Sequence, residues 1–123
     1  MGTPVDQYLV SLDGKDWEGL AATLGPVCER IGPFRDVIGS KDEYVQFLDR
    51  VVTPLEDYHV RPVRVVPADG VVFAEVVESF VYGEKMEVPE VLVFDLGSDG
   101  LISRVQVYMM HVGQEPPVPG ARA

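Results

Sequence analysis

Cysteine is nearly absent: Cys28 stands alone among 123 residues, so no internal disulfide can form. With no second Cys and no clustered His beside it, a zinc site is not expected, and Cys28 reads as a small, half-buried hydrophobe. Positive charge is scarce as well. Ten Lys and Arg stand against twenty Asp and Glu, a formal charge of −10 that repels phosphate backbones and anionic lipid surfaces. Neither nucleic acid nor a membrane is therefore expected as a partner. No run approaches the roughly eighteen apolar residues of a membrane span. The opening MGTPVDQYLV has neither a basic n-region nor an apolar core, so a secretory signal is not expected and a cytoplasmic location is. Glycine-rich phosphate loops, nucleophile elbows, His-Glu zinc motifs and EF-hand loops are all missing, so no cofactor and no metal is expected.

What is there has the texture of a packed globule. Apolar residues make up 46% of the chain and charged residues 24%, and the length suits one core. Val5, Tyr8, Leu9 and Leu12 form the stripe of a short helix over 4–13, opened by Pro4. Asp16 caps a second helix carrying Trp17, Leu20 and Leu24, which Gly25-Pro26 ends. From Val27 to Gly39 the glycines and prolines favour loop, with a short strand at Val27–Ile31 as the alternative. Ser40 followed by Glu43 has capping-box spacing, and Tyr44, Phe47, Leu48, Val51 and Val52 then repeat at helical intervals up to Pro54.

Beyond Pro54 the residues turn to Val, Phe and Tyr. Tyr58–Val66, Val71–Tyr82, Met86–Leu96 and Leu101–Val112 read as four strands, separated by short glycine-bearing breaks that demand antiparallel hairpins. The fold class is α+β: a curved antiparallel sheet with three helices over its concave face, in a single domain at residues 1–112, followed by a Pro/Gly-rich tail at 113–123.

The segments QYLVSLDGKDWEGLAATL, IGSKDEYVQFL, PADGVVFAEVVESFVYGEKMEVPEVLVFDL and SDGLISRVQVYM together resemble the nuclear-transport-factor-2-like superfamily. That group includes ketosteroid isomerases, limonene epoxide hydrolases, scytalone dehydratases and polyketide cyclases. The resemblance implies a cone-shaped α+β barrel with a largely apolar pocket, often in a dimer that pairs the outer sheet faces. Activity must be carried over residue by residue, because one fold hosts many chemistries. Tyr8 falls where ketosteroid isomerases keep an oxyanion-donating tyrosine. The place of their general base holds Cys28-Glu29-Arg30-Ile31, with Glu29 as a weak stand-in, and their second donor aligns with Leu92. The Arg and two Asp of limonene epoxide hydrolases align with Val76, Glu78 and Val107, and that family's water-positioning Tyr and Asn with Glu29 and Ile31. Polyketide cyclases ask for one acid-base carboxylate, a requirement Glu78 meets.

The resemblance thus implies a pocket of the polyketide-cyclase-like type that binds a small apolar ligand, with the catalytic residues known in relatives largely absent. The alternative is a cyclase or isomerase with Glu78 as acid/base and Tyr8 as oxyanion donor. Glu78 shares its strand face with Val72, Ala74, Val76 and Phe80, a setting that raises a carboxyl pKa, unless it lies hydrated at the mouth or paired with an arginine such as Arg35. Trp17, Phe34, Phe47, Val76, Phe80, Leu92, Phe94, Val107 and Met109 are the expected pocket wall. Asp57, His59, Arg61 and Arg64 form either an anion clamp at the rim or a solvated strand edge, and His59 and His111 have no evident metal partners. Arg104, Gln106 and Tyr108 alternate outward on the last strand and suit a homodimer interface through the outer sheet face.

Overall fold

Thr3 opens the first helix, α1 (Pro4–Asp13), through a reciprocal capping box with Asp6. The computed structural model describes residues 3–110; the expected tail at 113–123 and His111 lie outside the described residues. Asp16 accepts from the backbone N–H of Gly19 at 3.0 Å and starts α2 (Trp17–Ala21). Ser40 caps α3 (Lys41–Val52) in the same manner, and α3 stops ahead of Pro54. The residues that satisfy these helix starts are those whose side-chain oxygens reach free backbone donors.

Six strands form one curved, unclosed sheet: β1 (Leu24–Ile31), β2 (Val37–Ile38), β3 (Glu56–Ala68), β4 (Val71–Tyr82), β5 (Glu84–Leu96) and β6 (Ile102–Met109), in the order β2-β1-β6-β5-β4-β3. The last four are the expected antiparallel meander. Its tight reversals carry Gly70 at φ +73° and Gly100 at φ +81°, a backbone region that costs glycine nothing. Pro62 and Pro67 sit on β3, an outer strand, where missing N–H donors are tolerated.

The segment favoured as loop at 27–39 differs. Leu24–Ile31 is a full strand, pairing parallel with β6 and antiparallel with β2. The sheet is therefore mixed at this border. A register shift between Leu24 and Glu29 absorbs Gly25-Pro26, which is why local composition argued for a loop although pairing with a distant strand decides the outcome.

The helices lie on one side of the sheet. Val5, Tyr8, Leu9 and Leu12 of α1 pack with Val60, Val72, Ala74, Val76, Leu92, Phe94, Val105 and Val107 of the inner sheet face into one buried cluster. Asp13 ties the end of α1 to β3 by accepting from the Val60 N–H at 2.8 Å. Lys15 donates to the carbonyls of Thr53 and Leu55 and so satisfies the end of α3. No described helix is long and apolar enough to cross a membrane.

Since Ser40 supplies the side-chain acceptor at the start of α3, Ser40→Ala should destabilise the protein by about 1 kcal/mol. A denaturant titration of both proteins checks this, and an unchanged midpoint contradicts it.

Candidate functional site

The curvature of the sheet and the span of α3 leave a cavity of about 530 Å³ between them. Its wall is mostly apolar: Leu12, Phe47, Leu48, Val51, Val52, Phe80, Val88, Leu92 and Val107 all contribute. Phe34, on the loop between β1 and β2, is 76% exposed, and Met109 at the end of β6 is partly so; both also line the cavity. Of the expected wall residues, Phe34, Phe47, Phe80, Leu92, Val107 and Met109 are thus brought together around one space. Trp17, Val76 and Phe94 are not. Trp17 donates its indole N–H to Thr53 Oγ1 at 2.9 Å, Val76 is sealed in the core, and Phe94 is covered by the Tyr8 ring, edge-on at 5.0 Å. In this fold the deepest inward residues of a strand meet α1 directly, and only those farther along reach the open space.

Polar groups enter the cavity from three directions. Glu78 on β4 and Glu90 on β5 share the inner face: Glu90 faces Val76 and Glu78 faces Val88, so the two carboxyls are diagonal neighbours. Tyr58 of β3 donates its hydroxyl to Glu78 Oε2, which is the partner Glu78 takes. Burial and the adjacent Glu78 charge hold the Tyr58 phenol far above its ordinary pKa, so it remains a donor. Glu90 is 5% exposed, and its Oε2 has no hydrogen-bond partner. Burial, reinforced by the charge of Glu78 and by a hydrogen bond to its carboxyl and opposed by Arg30, pushes the Glu90 carboxyl up to about 10. The Glu78–Glu90 pair as a unit thus favours holding a proton in this apolar setting, while Glu78 accepts from Tyr58.

Tyr8 and Tyr44 form the second polar group. Their hydroxyls are hydrogen-bonded to each other in a fully buried setting, and burial raises both phenols well above the ordinary range. A hydroxyl pair of this kind consumes one donor and leaves the other O–H for a further acceptor. Tyr8 and Glu78 line the same cavity.

Arg30 is the third. It lies on β1 two residues beyond buried Cys28, and its guanidinium sits 4.5 Å from the centre of the Phe47 ring. Asp36 is its ion-pair partner at 3.6 Å. Arg30, not its neighbour Glu29, is on the cavity wall, so the position of Glu29 as a stand-in base has no access to this space. Cys28 is buried with its thiol pushed up to about 11, chiefly by desolvation, and is inert as a nucleophile.

Three groups were missing from the sequence reading: Glu90, Tyr58 and Arg30. Alternation offered a signal for two of them, since Glu90 has the parity of inward Leu92 and Arg30 that of Cys28. Among the rim candidates, His59 lies between Asp13 and Asp57, at 3.5 and 3.4 Å, and Arg64 pairs with Glu75 at 2.7 Å on the opposite face. Among the described residues no group of three or more His, Cys, Asp or Glu is placed to hold a metal ion.

A family model described as a SnoaL-like domain matches residues 5–105. Solved structures share the fold. A protein of Kribbella flavida provisionally named a ketosteroid isomerase superposes with a TM-score of 0.79 at 20% identity, covering 98% of this chain and 84% of that one. An LEH-like epoxide hydrolase of M. tuberculosis gives 0.76 at 19% identity, over 87% and 80%. A Shewanella denitrificans protein provisionally named a SnoaL-like polyketide cyclase gives 0.78 at 10% identity, over 87% and 88%. A comparison with curated protein sequences found no match.

A neutral buried Glu90 has a consequence for stability. Its folded pKa lies above its unfolded one, so the unfolded chain releases a proton that the folded chain keeps. The stabilisation is complete below about pH 4.5 and falls as pH rises toward about 10. Glu90→Gln, which imitates the protonated acid, should lose part of this dependence and gain about 1–3 kcal/mol relative to wild type between pH 6 and 8. Urea titrations of both proteins at the two pH values measure it; parallel pH profiles would show that Glu90 is ionised in the fold.

Proposed function

Because this chain belongs to the SnoaL-like domain family, we propose that its cavity binds a small, mostly apolar carbonyl compound and moves a proton on it, as a cyclase or isomerase does. The observation that carries the reading is the Glu78–Glu90 pair: two carboxyls on one apolar wall, one of them protonated and with a free oxygen. Such a pair holds an acid and a base side by side at neutral pH.

In this reading Glu78 takes a proton from a carbon next to the carbonyl. Glu90 donates to the oxygen on which charge develops, a role that requires a carboxylic acid kept neutral by its apolar surroundings. Tyr58 holds Glu78 in place through the hydrogen bond it donates. The hydroxyl left free in the Tyr8–Tyr44 pair supports the same oxygen. Apolar contact with Phe80, Leu92 and Val107 supplies affinity, at about 25 cal/mol per Å² of area removed from water before ordering costs.

A second reading, a binding domain without turnover, is favoured by the predominance of aliphatic wall, including Leu92 and Val107 where related enzymes keep acids. We also infer a homodimer through the outer sheet face. There Val66, Phe73 and Tyr108 are exposed, and the ion pairs Arg64–Glu75 and Arg104–Asp95 give the surface both signs of charge for self-complementary contact.

Hydrogen–deuterium exchange at the α-carbon of 2-tetralone, followed by NMR in deuterated buffer, tests the reaction without knowledge of the natural substrate. Wild type should accelerate exchange, and Glu78→Gln should lower the rate about 10²-fold or more with the fold retained. Binding of tetralone with exchange no faster than in buffer would leave the second reading standing in place of the first. For the dimer, sedimentation velocity should show two protomers in wild type and one in Tyr108→Glu; a monomeric wild type rejects it.

A further inference from the structure

Arg30 is the charged group that the proton-transfer reading leaves unused. Its side chain is nine-tenths buried, it lies on the cavity wall, and its Nη1 has no hydrogen-bond partner. Its ion partner, Asp36, is half exposed on the loop between β1 and β2, and at 3.6 Å is beyond hydrogen-bond length. The faces of the guanidinium meet carbon: the Phe47 ring at 4.5 Å and the Tyr44 ring at 5.9 Å.

An arginine remains charged throughout the physiological range and presents its donors in a rigid planar fork. Burying it is costly unless an anion with matching geometry meets it. Asp36 meets that need only in part, from a half-exposed loop position beyond hydrogen-bond length. The cavity thus combines an apolar wall with one cation whose open edge lacks an acceptor. The complement of such a site is an apolar body bearing a single planar anion.

We propose that Arg30 anchors a carboxylate, and that the molecule taken by this cavity is a small, mostly apolar carboxylic acid. The proposal rests on the reading of the cavity as a small-molecule site and adds the charge of the molecule to it. The carboxylate meets the Nη1 edge of Arg30 in competition with Asp36, while the apolar body lies against Phe80, Leu92 and Val107. The Phe47 ring against the guanidinium holds Arg30 in place in advance, so less order is lost on binding. The carboxylates of Asp36 and Glu78 line the same space and oppose an anion there, so attraction depends on contact with Arg30 itself.

Calorimetric titration with 2-naphthoate and with its neutral counterpart 2-naphthamide tests the assignment. Wild type should bind the naphthoate tighter by on the order of ten- to a hundredfold, the range of a charge-assisted hydrogen bond. Arg30→Gln should bind the two alike. Asp36→Asn, which removes the competing carboxylate, should raise the preference several-fold above wild type, and this gain stands even if Arg30 variants fail to fold. Equal binding of the two compounds by wild type, a preference that survives in Arg30→Gln, or no gain in Asp36→Asn overturns the carboxylate anchor and leaves the cavity reading intact. If neither compound binds wild type, the cavity reading itself falls, and the anchor with it.

Discussion

A carboxyl group held away from water is cheap to keep neutral and costly to ionise, and the arrangement of this cavity follows from that asymmetry at Glu90. Its neighbours on the wall are aliphatic, and the one charge of its own sign, Glu78, is close enough to oppose a second. The pair therefore favours keeping one proton between its two carboxyls. Glu78 accepts from Tyr58, and buried Arg30 has half-exposed Asp36 as its ion partner. Ionisation of Glu90 would change every one of these relations at once.

The helices and the meander were legible because each rests on local signals. Asp16 and Ser40 have side-chain acceptors at the right spacing, Gly70 and Gly100 permit the turns, and Val-rich alternation marks the strands. β1 was not, since its pairing with β6 lies about seventy-five residues away in sequence and overrides Gly25-Pro26. The site was legible by half. Tyr8 and Glu78 stand out through the resemblance to the superfamily, yet Tyr58 meets Glu78 across a register shift in β3, which no count along the chain reveals. Trp17, Val76 and Phe94 show the converse: inward parity or an aromatic ring selects the core and the cavity wall alike, and only the position of α1 separates them.

Proteins that share 10 to 20% of their residues with this chain superpose on it with TM-scores near 0.8, so the fold tolerates wide exchange of sequence. What a curved sheet under helices demands is a pattern of apolar volume. Inward positions that face the hollow can carry an ionisable side chain where a partner or a bound proton offsets its burial. Glu78, Glu90 and Arg30 occupy three such positions on three strands.

The two borders of the sheet differ from its middle in a way that bears on how copies of the protein avoid each other. One border is the two-residue β2, and the other, β3, carries Pro62 and Pro67. A foreign strand seeking to extend the ladder finds too few rungs on the first side and absent donors on the second. Runaway polymerisation by strand addition is thereby blocked at both ends, even though the long Val-rich hairpins have the composition that favours it.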